Sequence, residues 1–175
     1  NTNRVRRFHQ LASPGRARAM TALMLLGPGT PMLFQGQEFW ASAPFLYFAD
    51  HQKDLAAMVK KGRSEFLRQF PNLDDDAVQA LLTDPADRDT FERSRLDWSE
   101  RDTHHEAVAL HRDLLRLRRT DRVFARPRAG GVDGAPVGAE AFILRFFGEG
   151  GEDRLMAVNF GIDLALPSIA DPLAA

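Results

Sequence analysis

The tripeptide Gly27-Pro28-Gly29 interrupts a nearly continuous apolar run, and it limits what this chain can fold into. No regular element passes through such a break, so the residues before and after it form separate elements. Before it, Ala17 to Leu26 is apolar nearly all round, the pattern of a buried helix rather than a surface one. Ser13 can cap this helix by accepting a bond from an orphan backbone N–H, and Pro14 fits its first position. After it, Pro31-Met32-Leu33-Phe34 is a short apolar run between turn signals, which predicts a fully buried strand of a parallel sheet. Buried helix, tight turn and buried strand make the repeat of an α/β barrel or a doubly wound sheet. In either architecture the C-terminal end of the strand, here Gln35-Gly36-Gln37-Glu38, faces the active site.

The stretch from Phe39 to His51 has no period but is dense in aromatics: Phe39, Trp40, Phe45, Tyr47 and Phe48. An amphipathic helix follows, with Leu55, Met58, Val59, Gly62, Phe66 and Phe70 on one face, and Pro71 ends it. Asp74-Asp75-Asp76 lacks the spacing of a calcium loop and reads as the cap of a short helix reaching Leu82. Asp84 to Arg101 is polar and reads as loop, anchored by Leu96 and Trp98. From Glu106 to Arg119 a second helix places Ala107, Leu110, Leu114 and Leu117 on one face, with His104 and His105 as its solvated start. Residues 126–139, rich in Gly and Pro, read as a linker. Ala141 to Phe147 and Arg154 to Phe160 then form a hairpin around Gly148 to Asp153, and Leu164-Ala165-Leu166 starts a third strand.

Composition removes several function classes. A net charge of -1 gives no electrostatic footprint for nucleic acid or an anionic membrane. No apolar run is long enough to span a bilayer, and no signal peptide opens the chain. With no cysteine there is no disulfide, thiolate metal site or cysteine nucleophile, which is compatible with the cytoplasm. The five histidines have no metal-ligand spacing. A chain that opens on Asn1 and stops after Pro167 to Pro172, within a strand-rich region, reads as a fragment.

The block from Gly29 to Phe39 resembles the eighth-strand motif of the α-amylase superfamily of glycoside hydrolases, where a glycine-x-proline turn enters the last barrel strand and a glycine-x-glutamate leaves it. The segments Pro44 to His51, Lys61 to Phe66 and Ser94 to Trp98 narrow the resemblance to the malto-oligosyltrehalose trehalohydrolase family. The similarity covers most of residues 1–125. It implies an α/β plus β fold: the last part of a (β/α)8 TIM barrel over 1–125, a linker over 126–139, and over 140–175 the start of a small C-terminal antiparallel β-sandwich domain. The activity implied is retaining hydrolysis of the α-1,4 bond next to the terminal trehalose of a malto-oligosyl chain. A branching enzyme of the same superfamily, a non-catalytic glucan-binding module and an unrelated parallel α/β enzyme are the alternatives.

In the family the three reacting carboxylates lie on the fourth, fifth and seventh strands, so the resemblance assigns no catalytic residue to this chain. The family's glycine near Val5 is replaced here, where the chain reads Asn1-Thr2-Asn3-Arg4-Val5. The expected substrate-binding set is Glu38, Trp40, Phe45, Tyr47, Asp50 and His51. Aromatic faces stack on sugar rings, while carboxylate and imidazole groups bond hydroxyls. Phe39 and Phe48 are expected in the core, and Lys60, Lys61 and Arg63 on a solvated helix face. The expected partner is a maltooligosaccharide or α-glucan, without nucleic acid or membrane, and neither cofactor nor metal is implied.

Overall fold

A computed structural model describes residues 6–71, 82–126 and 128–165. In chain order the helices are α1 (Phe8–Leu11), α2 (Pro14–Leu26), α3 (Lys53–Arg68), α4 (Arg88–Ser94), α5 (Glu100–Thr103), α6 (His105–Thr120) and α7 (Arg122–Ala125). Strands β1 (Val132–Gly138), β2 (Ala141–Phe146) and β3 (Arg154–Asn159) follow, and Gln37–Phe39 is a 3₁₀ turn. The chain divides into two compact units: Asn1–Leu11 with Trp40–Arg101, and Ala12–Phe39 with Asp102–Ala175.

In the second unit, α2 starts as its sequence predicts. Ser13 Oγ accepts the Arg16 N–H at 3.3 Å, and Pro14 takes the first position. It ends at Gly27, where a Cβ would stand 2.7 Å from the Leu23 carbonyl oxygen. The helix is not buried all round, as its composition predicts. Only Ala17, Thr21, Leu25 and Leu26 are buried, because α6 and β3 are the elements that pack on it among the described residues.

The helix α6 turns most of the predicted face inward, with Leu110 half-buried, and departs from it at Leu117. Ala107 and His111 are its buried residues, Leu114 and Arg118 are half-buried, and Leu117 is exposed. The His111 Nδ1–H donates to the Ala107 carbonyl at 2.8 Å. Arg118 reaches the far end of α2. Its Nη1 donates to the carbonyls of Leu25 and Gly27, each at 2.8 Å, and its Nη2 donates to Gly29 at 2.7 Å. The last carbonyls of a helix have no partner inside it, and a planar cationic fork there also faces the negative end of the helix dipole.

Asp121 turns the chain from α6 into α7. One carboxylate oxygen accepts the Val123 and Phe124 N–H groups at 2.9 and 3.3 Å, and the other accepts Arg154 Nε at 2.9 Å. Burial disfavours the charge, but these donors outweigh it and hold the carboxyl below its usual range. Against this corner lies a core of Leu26, Phe124 and Phe146, flanked by Leu114, Val132 and Met156. The Phe124 and Phe146 rings meet edge to face at 5.0 Å.

The sheet is antiparallel in the order β1-β2-β3, with Ile143 opposite both Ala135 and Ala157. The β2–β3 hairpin is the one the alternating pattern predicts. Strand β1 lies inside the stretch read as linker. Its Pro136 has no N–H to give a ladder, which suits an edge strand, and the register shifts between Pro136 and Gly138. Leu164 and Ala165 carry no strand, and Leu166 lies outside the described residues.

Four further expectations differ from what the described residues show. Pro31 to Phe34 is neither strand nor helix, and Met32 is 85% exposed. A parallel strand exists only through its neighbours, and among the described residues none pairs with it. In the first unit α3 forms where predicted, but Leu67 is its buried residue while Leu55, Met58 and Phe66 are exposed. The polar stretch read as loop contains α4, capped by the Asp87 side chain on the Asp89 N–H at 2.9 Å. Trp98 is 61% exposed and so is not a core residue. Asp74 to Asp76 lie outside the described residues.

Two outcomes follow for the protein that carries this chain. Arg118→Met should destabilise it by about 2–4 kcal/mol, seen in denaturant unfolding, since three carbonyls lose a charged donor. Arg118→Lys should recover only part of that, because one ammonium cannot span the three oxygens. Asp121 contributes its full stabilisation above the ordinary carboxylate value of about 3.9 and loses it as the pH falls through its depressed folded value. Asp121→Asn should therefore be less stable at neutral pH and show a shallower loss of stability below about pH 4.

Candidate functional site

The aromatic stretch after the 3₁₀ turn has no regular secondary structure from Ala41 to Gln52, yet it is tied down at several points. Arg7 Nε donates to the Ala43 carbonyl at 2.6 Å, and Glu100 accepts the Ser42 N–H at 2.9 Å. The Ser94 hydroxyl accepts the Leu46 N–H at 3.0 Å and bonds the Thr90 carbonyl one turn back at 2.9 Å. Ala49 N–H donates to the Pro85 carbonyl at 2.9 Å. Ala41 and Leu46 are buried beneath the loop. A loop held by its own backbone groups can present side chains at fixed places.

Trp40 begins it with a φ of 52°, and among the described residues it is the non-glycine residue in the left-handed region. Its ring stacks on the His9 imidazole, with centroids 5.9 Å apart and planes 10° from parallel. The residue is half-buried, and its indole N–H is buried with no acceptor among the described residues. Tyr47 is covered on one face by the Arg63 guanidinium, 4.6 Å from the ring centroid, a cation–π contact. Burial draws the Arg63 guanidinium below its ordinary value, and Tyr47 opposes this. Phe45 meets Phe48 at 6.1 Å, and Phe48 meets Phe91 at 5.1 Å, both edge to face.

The six expected binding residues divide between the units: Glu38 belongs to the second, the other five to the first. Glu38 sits half-buried in the 3₁₀ turn behind Gly36, whose φ of 75° sets up the turn, and makes no hydrogen bond or ion pair among the described residues. Phe45 is exposed, and Trp40 and Tyr47 are half-buried. Asp50 and His51 are exposed and unbonded among the described residues, and Asp50 does not cap α3, whose N-cap Gln52 makes no side-chain bond.

Phe39 is fully buried, as expected for core, and its carbonyl is held by His104 Nδ1 at 2.9 Å. Lys60 pairs with Asp84 at 2.7 Å and Lys61 with Glu65 at 3.9 Å, so both lie on a solvated face, whereas Arg63 turns onto Tyr47. His9, Arg63 and Ser94 are the positioning residues that sequence reading missed. His9 carries no local signal, and Arg63 hides in a basic run. The arrangement offers half-exposed ring faces and a neighbouring cation, which is the chemistry of binding a flat, hydroxyl-bearing ligand.

No family model matches the chain. A malto-oligosyltrehalose trehalohydrolase of Deinococcus radiodurans is 37% identical over 144 residues, covering 81% of this chain and 23% of that protein. Its counterpart in Arthrobacter ramosus is 40% identical, over 69% of this chain and 21% of its own length. A solved structure from Salmonella typhimurium, provisionally assigned as an α-amylase, superposes with a TM-score of 0.77 at 28% identity, covering 95% of this chain and 28% of that one. The chain thus spans about a fifth of the length of the curated relatives it matches. Over that span it belongs to the malto-oligosyltrehalose trehalohydrolase family and has an α-amylase-like fold.

Proposed function

We propose that this chain is part of a retaining glycoside hydrolase that cleaves the α-1,4 bond next to the terminal trehalose of malto-oligosyl trehalose and releases trehalose. The observation that carries this reading is the 35–40% identity to proteins bearing that name across at least 65% of the chain. In this reading residues 1–125 are the closing portion of the barrel, 126–139 the link, and 140–175 the β-domain, whose sheet takes in β1 from the link. Pro31 to Phe34 becomes the last barrel strand once its neighbours are present, and its exposed Met32 and Phe34 are in keeping with that.

Mechanistically, the reacting carboxylates of such an enzyme belong to barrel strands outside these 175 residues. What this chain supplies is binding. Trp40 and Tyr47 offer ring faces to glucose units, Phe45 widens the apolar surface, and Glu38, Asp50 and His51 accept or donate bonds to hydroxyls. A cytoplasmic location fits the absence of cysteine, and no helix among the described residues is long and apolar enough to cross a membrane.

The test is to incubate the full-length protein with malto-oligosyl trehalose and measure free trehalose. Its release is the expected result; new α-1,6 branches on amylose without trehalose would replace this reading with a transferase. Trp40→Ala and Tyr47→Ala should each weaken oligosaccharide binding by about 1–3 kcal/mol, read as a raised KM. Unchanged KM in both variants would remove the loop from the binding site.

A further inference from the structure

In the second unit, away from the aromatic loop in sequence, a cavity of about 400 Å³ opens between α7 and the β2–β3 loop. This volume is in the range of small-ligand sites. One wall carries Arg122 and Arg126, four residues apart on and just after α7, and then Arg128. The other carries Glu149 and Glu152, from the loop after β2. Phe147 and Val123 supply the apolar part of the lining.

The pairing of charges around it is selective. The two nearby aspartates are committed to structure: Asp121 to Arg154, and Asp153 to Arg145 at 2.8 Å and to the Gly148 N–H at 2.9 Å. Arg128 gives one donor to the Phe147 carbonyl at 3.2 Å. Arg122 and Arg126 make no hydrogen bond or ion pair among the described residues, and neither do the carboxylates of Glu149 and Glu152. Guanidinium donors and carboxylate acceptors therefore line the same cavity with no direct ion pair between them among the described residues. Gly148 keeps the loop in its tight form, since a Cβ there would stand 2.5 Å from the Glu152 carbonyl oxygen and 3.1 Å from Val123.

We propose that this cavity binds a phosphate-bearing, hydroxyl-rich small molecule of sugar-phosphate size. Arg122 and Arg126 hold the phosphate through charge-assisted bonds, for which the planar guanidinium fork is suited. Glu149 and Glu152 accept hydroxyls, and Phe147 supports the ring. The proposal stands independently of the glucan reading of the aromatic loop.

Isothermal titration of the full-length protein with glucose 6-phosphate, inorganic phosphate and glucose tests it. The ester should bind saturably, about tenfold more tightly than phosphate, and glucose should not bind at this site. The double variant Arg122→Gln/Arg126→Gln should weaken the ester at least about tenfold at an unchanged melting temperature, while Glu149→Gln/Glu152→Gln should lower the preference for the ester over phosphate. Binding should persist in Trp40→Ala, which separates this cavity from the glucan loop. No saturation by about 10 mM ester, equal affinity for ester and phosphate, or full binding in the arginine double variant would overturn the assignment.

Discussion

Arg118 joins the open end of α2 to α6 in the second unit. Helix α2 ends in Gly27-Pro28-Gly29, and such an end leaves several carbonyls turned away from any helical donor. Each would cost free energy if buried unpaired. A single guanidinium, delivered from the last turn of α6, satisfies three of them with bonds of 2.7 to 2.8 Å. The same bonds fix the position of α6 against α2 and so determine which residues of α6 meet the interior. Around the buried Ala107 and His111, the stripe takes in the half-buried Leu110, Leu114 and Arg118, while Leu117 is left exposed. The register of the helix pair is set by a polar clamp, and the leucines follow.

From that clamp the rest of the unit is built outward. With α6 fixed, its C-terminal corner at Asp121 is fixed too, and Asp121 caps α7 while gripping Arg154 at the start of β3. One carboxylate thus ties a helix start to a sheet. The apolar contacts close around this tie: Phe124 of α7 meets Phe146 of β2, and Leu26 at the end of α2 completes the cluster. Burial in such a small core cannot by itself fix orientation, because apolar contact is non-directional. The directional bonds of Arg118 and Asp121 supply what the core lacks.

The features legible in the sequence were those with a local cause. Ser13-Pro14 starts α2, Gly27 ends it, and the alternation in Ala141 to Phe146 and Arg154 to Asn159 gives the hairpin. Phe39 as core was expected and is fully buried. What escaped depended on distant partners. The tetrapeptide Pro31 to Phe34 has strand composition and no strand beside it among the described residues. The apolar face of α3 is real as a pattern but has nothing packed over most of it among the described residues. Strand β1 was hidden by Gly134 and Pro136, which have poor strand propensity, and is made a strand by β2. At the candidate site, the aromatics were legible by density alone, whereas His9 beneath Trp40 and Arg63 over Tyr47 were not, because each lies more than ten residues away from the ring it positions.

Trp40 shows how such positioning bears on binding. A bulky residue in the left-handed region is strained by roughly 1–2 kcal/mol, so its conformation must be imposed by its surroundings. The ties on the segment that follows, at Ser42, Ala43 and Leu46, and the His9 ring beneath it do this. A ring already held in place loses little rotamer freedom when a ligand stacks on it, so more of the contact energy is expressed as affinity. Phe45, exposed on the same loop and edge to face with Phe48, does not share the left-handed backbone of Trp40. Under the glucan reading, the strained tryptophan rather than the exposed phenylalanine is therefore the residue whose orientation the fold specifies, and the stacking contribution is assigned to it first.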